Sequence, residues 1–239
     1  MSASNDCRKK SVKATQAGFT LVEIAIVLVI IGLLLGGILK GQEMITQAKI
    51  KNVINDFNGI TAAVTSYQDR YRAVPGDDQN ANARWNSLTT PPVSGSGDGI
   101  VLGAYNANDT TGPLFAPPAA AESNLFWQHL RIAGFIAGPT MGRGSGTPPP
   151  NATGGLIGVE TGGTAGALGM GFTSLITCTS NLPDKVAIAV DTQADDGVPG
   201  TGQVRGALQS TPNPNTPATG NTTPYAETGT NQYLLCKNL

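Results

Sequence analysis

The hydrophobic pattern changes character three times along this chain. Residues 19–39, FTLVEIAIVLVIIGLLLGGIL, are apolar or glycine at every position except Thr20 and Glu23. As a helix this run spans about 30 Å, the thickness of the hydrocarbon core of a bilayer, which predicts a transmembrane segment. Past Lys40 the run gives way to a stripe. Ile50, Val53 or Ile54, Phe57, Ile60, Val64, Tyr67 and Tyr71 recur at steps of three and four, with Lys49, Lys51, Asn55, Asp56 and Asp69 between them. That spacing puts the apolar residues on one helical face. Nothing interrupts it before Pro75, and the position before a proline disfavours helix. A single helix of about 54 residues and about 80 Å is therefore predicted, ending near Arg72.

Beyond that helix the pattern breaks into short pieces. AVPGDD at 73–78 predicts a sharp reversal, because proline fixes φ, glycine permits positive φ and aspartate bonds nearby amides. Its acids, Asp77 and Asp78, also offer oxygens to calcium, but a structural turn is the simpler reading. Residues 87–118 read mostly as loop. In 122–137, ESNLFWQHLRIAGFIA, helical spacing of Leu125, Phe126, Leu130 and Ala133 predicts a short amphipathic helix stopped by Gly134 or Gly138. Residues 138–171 are rich in glycine, proline and threonine and read as a long loop. Val186, Ile188 and Val190 alternate in DKVAIAVD at 184–191, the clearest strand candidate, with weaker ones at 172–177 and 232–236. Residues 209–231 read as an exposed, flexible loop. The class expected is α+β, with a small antiparallel sheet packed on the amphipathic half of the long helix.

Composition narrows the function. Only 13% of the 239 residues are charged, against roughly a quarter in ordinary soluble domains, and glycine and proline are abundant. The surface should be neutral, polar and rich in loops, which suits packing against copies of itself; a low-complexity surface accounts for it equally well. The net charge is −1 and no long basic stretch follows the apolar run, so no nucleic-acid partner is expected. The chain has one histidine, His129, with no acid, cysteine or second histidine beside it in sequence, which reads as a surface or packing residue. With no nucleophile motif, phosphate loop or Cys/His cluster either, it is not expected to be an enzyme.

The start of the chain is unlike a common secretory signal. Arg8, Lys9, Lys10 and Lys13 precede the apolar run, but the small residues Ala17 and Gly18 stand in front of it and no A-x-A site follows. Cys7 also precedes it, whereas a lipoprotein cysteine would follow. An uncleaved anchor or a leader cut on the cytoplasmic side remains. Glu23 is an acid inside that run, costing about 3 kcal/mol or more at the bilayer centre, which marks it as a functional candidate. Snorkelling to the interface from one turn inside is the alternative. Gly32, Gly36, Gly37 and Gly41 form small-xxx-small spacings that allow close helix approach, or are simply tolerated there.

Gly18-Phe19-Thr20-Leu21-Val22-Glu23 resembles the G-F-T-L-x-E processing motif of type IV pilins and type II secretion pseudopilins. The resemblance implies a pilin-like fold and cleavage after Gly18 by a membrane aspartyl prepilin peptidase, with methylation of the new amino terminus at Phe19. Glu23 falls at the fifth mature position, where the family's acid faces the charged amino terminus of a neighbouring subunit and aligns assembly. The implied organisation is a leader at 1–18, a transmembrane and assembly helix at 19–40, its amphipathic continuation at 41–72 and a loop-rich globular domain at 73–239. The glycines at 32–41 are where local unwinding during assembly is expected. Lys40, Lys49 and Lys51 nearly balance the basic residues of the leader, so charge alone leaves the orientation open. The peptidase site implies a single-pass inner-membrane precursor with a periplasmic domain, later part of a pilus or pseudopilus. Implied partners are copies of itself or other pilins, the peptidase, the inner-membrane assembly platform and the membrane.

Loss of such a leader removes Cys7 and leaves Cys178 and Cys236, which an oxidising periplasm is expected to join; two separate buried thiols are the alternative. Some secretion pseudopilins bind calcium in a C-terminal loop. Asp191, Asp195 and Asp196 offer oxygens of that kind in DTQADDGVPGTG, but an Asp-Gly turn explains them without a metal, and no cofactor is expected. The sequons at Asn108, Asn151 and Asn221 arise readily in a chain rich in Asn and Thr and are assigned no glycan. The leading function is a structural subunit of a type IV pilus or related filament. Beside it stand a pseudopilin or minor pilin of a secretion or DNA-uptake system, and a membrane-anchored periplasmic binding or adhesin module that would not be processed at Gly18.

Overall fold

A computed structural model describes residues 20–107, 121–163, 168–216 and 222–239. Cys7, the basic cluster at 8–13, Gly18, Phe19, Asn108 and Asn221 lie outside the described residues. The chain divides into two units, residues 1–44 and 45–239. The described part of the first is the apolar half of one long helix, α1 (Leu21–Tyr71). It is helical throughout, across Gly32, Gly36, Gly37 and Gly41, and its large apolar side chains are exposed. This helix is long and apolar enough to cross a membrane.

In the second unit the stripe is buried as its spacing requires. Ile50, Val53 and Phe57 pack with Val186, Ala187 and Val190 of α4 (Asp184–Ala194) and with Leu182, Val204, Tyr233 and Leu235 of the sheet. Further along, Ile60, Val64 and Tyr67 pack with Phe126, Trp127 and Leu130 of α3 (Glu122–Ile132) and with Ile157 and Val159. Each such fully buried side chain contributes about 1.5–3 kcal/mol. The sheet is antiparallel, with β1 (Ile157–Thr161), β2 (Leu175–Pro183), β3 (Val204–Leu208) and β4 (Gln232–Asn238) in the order β1-β2-β4-β3. Side chains alternate across it. Tyr233 and Leu235 of β4 join the layer beneath α1, while Leu234 and Cys236 join a second core with Ile176, Cys178, Tyr105 and Met170. The architecture is α+β, as the pattern predicted, and pilin-like, as the resemblance implied.

Two local readings are corrected and a third is refined. Residues 184–191 form α4, a helix, where alternation had predicted a strand. Val186, Ala187, Val190 and Asp191 are buried, a helical set, and Pro183-Asp184 is a helix-start signal that the period-two run of valine and isoleucine masked. The span 138–171 is not all loop, because it contains β1. The described part of 209–231 is a mostly exposed loop, as expected, but it is anchored at one end: the Tyr225 hydroxyl donates to Asp191 Oδ2 at 2.6 Å, and Thr228 and Gly229 N–H donate to Asp184 Oδ2 at 2.7 and 2.6 Å.

Helix ends follow from backbone chemistry. α1 stops at Tyr71 because Arg72 takes a left-handed conformation, φ 55°, with its N–H donating to Gln68 O at 2.8 Å. Pro75 and Gly76 then make a type II turn, closed by Asp77 N–H to Val74 O at 3.1 Å, with Gly76 at φ 90°. A side chain at Gly76 would also meet Glu122 O at 2.6 Å. α3 ends at Gly134 in a Schellman motif: Phe135 N–H donates to Leu130 O and Gly134 N–H to Arg131 O. Between α1 and α3 lies the single turn α2 (Ala81–Arg84).

Candidate assembly site

Glu23 is the third residue of α1, and the local sequence explains how it is held. Thr20 stands at the N-cap. Its hydroxyl accepts the Glu23 N–H at 3.3 Å, and Glu23 Oε2 accepts the Thr20 N–H at 2.8 Å and the Thr20 hydroxyl proton at 2.7 Å. This is a capping box, which satisfies donors that a helix start leaves open. In lipid such donors have no water to turn to. Thr20 therefore positions Glu23, a role that sequence reasoning passed over although T-x-x-E before an apolar run is the signal for it. The carboxylate is the only acid between Leu21 and Leu39, among exposed leucine, isoleucine and valine.

Cys178 and Cys236 face one another across β2 and β4 and form a disulfide, both fully buried. The bridge joins the two central strands and fixes the C-terminal strand to the body of the domain.

The remaining candidates act on loops. Asp191 is buried, Asp195 Oδ2 accepts the Val204 N–H at 2.8 Å, and Asp196 accepts the Val198 N–H at 2.8 Å and the Thr201 hydroxyl proton at 2.5 Å. Their carboxylates lie within 4.8 Å of one another, and burial raises the pKa of Asp191, with Asp195 and Asp196 adding to the rise. Oxygen donors of this kind fit a hard cation; the bonds to Asp195 and Asp196 are those of a turn. Asp77 and Asp78 do not act together. Asp77 accepts the N–H groups of Gly97, Asp98 and Gly99 and the Ser96 hydroxyl proton. Asp78 accepts from the Tyr67 hydroxyl, the Asn80 N–H and the Arg84 guanidinium. Burial opposes ionisation of Asp78, but those bonds outweigh it and hold its carboxyl below the usual range.

The same device recurs elsewhere. Glu122 accepts the N–H groups of Ser96 and Leu102 at 2.8 and 2.9 Å. Fully buried Glu160 accepts those of Tyr105 and Leu168 at 3.0 and 2.7 Å. A domain with so little regular structure must satisfy many loop amides away from strand ladders, and charge-assisted bonds to carboxylates do this strongly. Asp77, Asp78, Glu122 and Glu160 are internal fasteners. His129 is another: its Nδ1 accepts the Gly76 N–H at 3.0 Å and its Nε2 donates to Val93 O at 2.9 Å. Burial lowers its pKa to about 4, so the neutral ring links α3 to two loops. Asn151 is nearly buried, its amide donating to Ser180 O and Thr179 Oγ1.

An apolar helix long enough to cross a membrane, headed by a capped acid and continued along a small antiparallel sheet, gives the chain a pilin-like architecture. Residues 13–39 match the family described as the prokaryotic N-terminal methylation motif. The chain thus carries the prepilin signature shared by type IV pilins and pseudopilins. No curated protein and no solved structure matches it.

Proposed function

We propose that this chain is a structural subunit of a type IV pilus or closely related filament, made as an inner-membrane prepilin with a periplasmic domain. Cleavage after Gly18 and methylation of Phe19 leave a cationic chain start four positions before Glu23. An incoming subunit presents that cation to the Glu23 of a neighbour, where the pair is compensated in a medium of low dielectric. The Thr20 bonds hold the acid at the helix start until then. Its work is polymerisation with copies of itself or other pilins, served by the prepilin peptidase and the inner-membrane platform, and not catalysis. In this reading Asp191, Asp195 and Asp196 are loop anchors and no cofactor is needed. The observation that carries the proposal is the prepilin signature on a helix whose only acid within the apolar span is Glu23. Deleting and restoring the gene tests it: surface filaments seen by electron microscopy should vanish and return together with the protein, and filaments unchanged by deletion would contradict it.

A further inference from the structure

Beside the amphipathic half of α1 lies a groove of about 320 Å³, walled by Gly59 and Ile60 of the helix and by Trp127, Ile136, Pro149 and Ile157. Its lining is apolar apart from Asn55 and Asp56. Asp56 is half-buried and, among the described residues, has no hydrogen-bond or ion-pair partner. Loss of solvent raises its pKa, the mark of a carboxylate with nothing to compensate it. Lys49, partly buried on the same helix, also has no partner among the described residues. The two are seven positions apart, on one helical face but about 10 Å apart along the axis, too far to pair within one chain.

We propose that Lys49 of one copy seats in this groove of the next, its methylene stem along the apolar wall and its ammonium against Asp56. The chemistry of the groove is that of a lysine: an apolar channel with a single acid. Gly59 leaves the approach open, since nothing lies within 4 Å of where a Cβ would stand. Lys49 and Asp56 stand at different heights on the helix, so the contact between copies is staggered and heterologous, and repetition of one axial offset along parallel helices satisfies every pair except at the two ends. Such heterologous contacts propagate into open assemblies. This proposal rests on the filament reading above.

Charge reversal tests it in cells producing the full-length chain, with sheared filament yield and leader cleavage as readouts. Lys49→Glu and Asp56→Lys should each cut filament yield by about tenfold or more with cleavage unchanged, and the double reversal should restore it. Wild-type yield from both single variants would overturn the pairing while leaving the filament reading intact. In a separate Lys49→Cys/Asp56→Cys chain, sheared filaments should run as a disulfide-linked ladder on a non-reducing gel. Well-formed filaments without a ladder would also overturn it. Absence of filaments from the wild-type chain would instead remove the filament reading, and this proposal with it.

Discussion

Glu23 Oε2 accepts two protons from Thr20, one from the backbone at 2.8 Å and one from the hydroxyl at 2.7 Å. The acid therefore begins at the helix start with a local partner, and both belong to the segment that carries the prepilin signature. Glu23→Gln keeps the size of the side chain and its ability to accept from Thr20, but removes its charge. This variant should insert and lose its leader normally, while sheared filament yield falls by about tenfold or more, as expected when a charge pair in low dielectric loses one member. Gel mobility reports cleavage, and normal filaments would refute the pairing role.

Cys178 and Cys236 join strands separated by 58 positions in sequence. Closing a loop of that length restricts the unfolded chain by about 4 kcal/mol. Urea unfolding of the detergent-extracted Cys178→Ala/Cys236→Ala chain should show a loss of about that size, and an unchanged midpoint would mean that the bridge does not hold the domain.

His129 makes stability depend on pH. Its pKa in the fold, about 4, lies below its ordinary value of 6.5, so the unfolded chain takes up the proton first. Its contribution is complete above pH 6.5 and is lost as pH falls toward 4, by about 3 kcal/mol at pH 4. In His129→Asn the amide oxygen can still accept the Gly76 N–H but cannot titrate. Unfolding midpoints measured from pH 7 to pH 4 should fall less steeply in that variant, and equal slopes would show that His129 is not the group responsible.

Asp195 and Asp196 already accept from the loop that they organise. Adding a chelator should leave the thermal unfolding midpoint unchanged. A drop that calcium reverses would make Asp191, Asp195 and Asp196 a metal site.

What could be read beforehand follows from the range over which each signal acts. α1 was legible because the apolar run and the stripe repeat over many turns, and neither depends on contacts elsewhere in the chain. Gly134 stops α3 for a reason carried by its own backbone, which is why a glycine could be named there. α4 was misread because Val186, Ile188 and Val190 satisfy a two-residue period while Val186, Ala187 and Val190 satisfy the helical one; burial against Phe57 and Tyr233 decides between them. β1 is a short strand, and its Gly158 is required because a Cβ there would meet Tyr105 O at 1.8 Å, a contact made by a distant loop. The work of Asp77, Glu122 and Glu160 was hidden for the same reason: each accepts from amides about 8 to 55 positions away, and composition registered them only as a low charge count. The Thr20–Glu23 box, by contrast, was present in the sequence as T-x-x-E and was overlooked beside the processing motif that contains it.

The intact mass of the subunit in sheared filaments tests processing and assembly together. The subunit should begin at Phe19, one methyl group heavier than the unmodified polypeptide and two hydrogens lighter for the Cys178–Cys236 bridge. Filaments built from a chain that still carries residues 1–18 would contradict that processing.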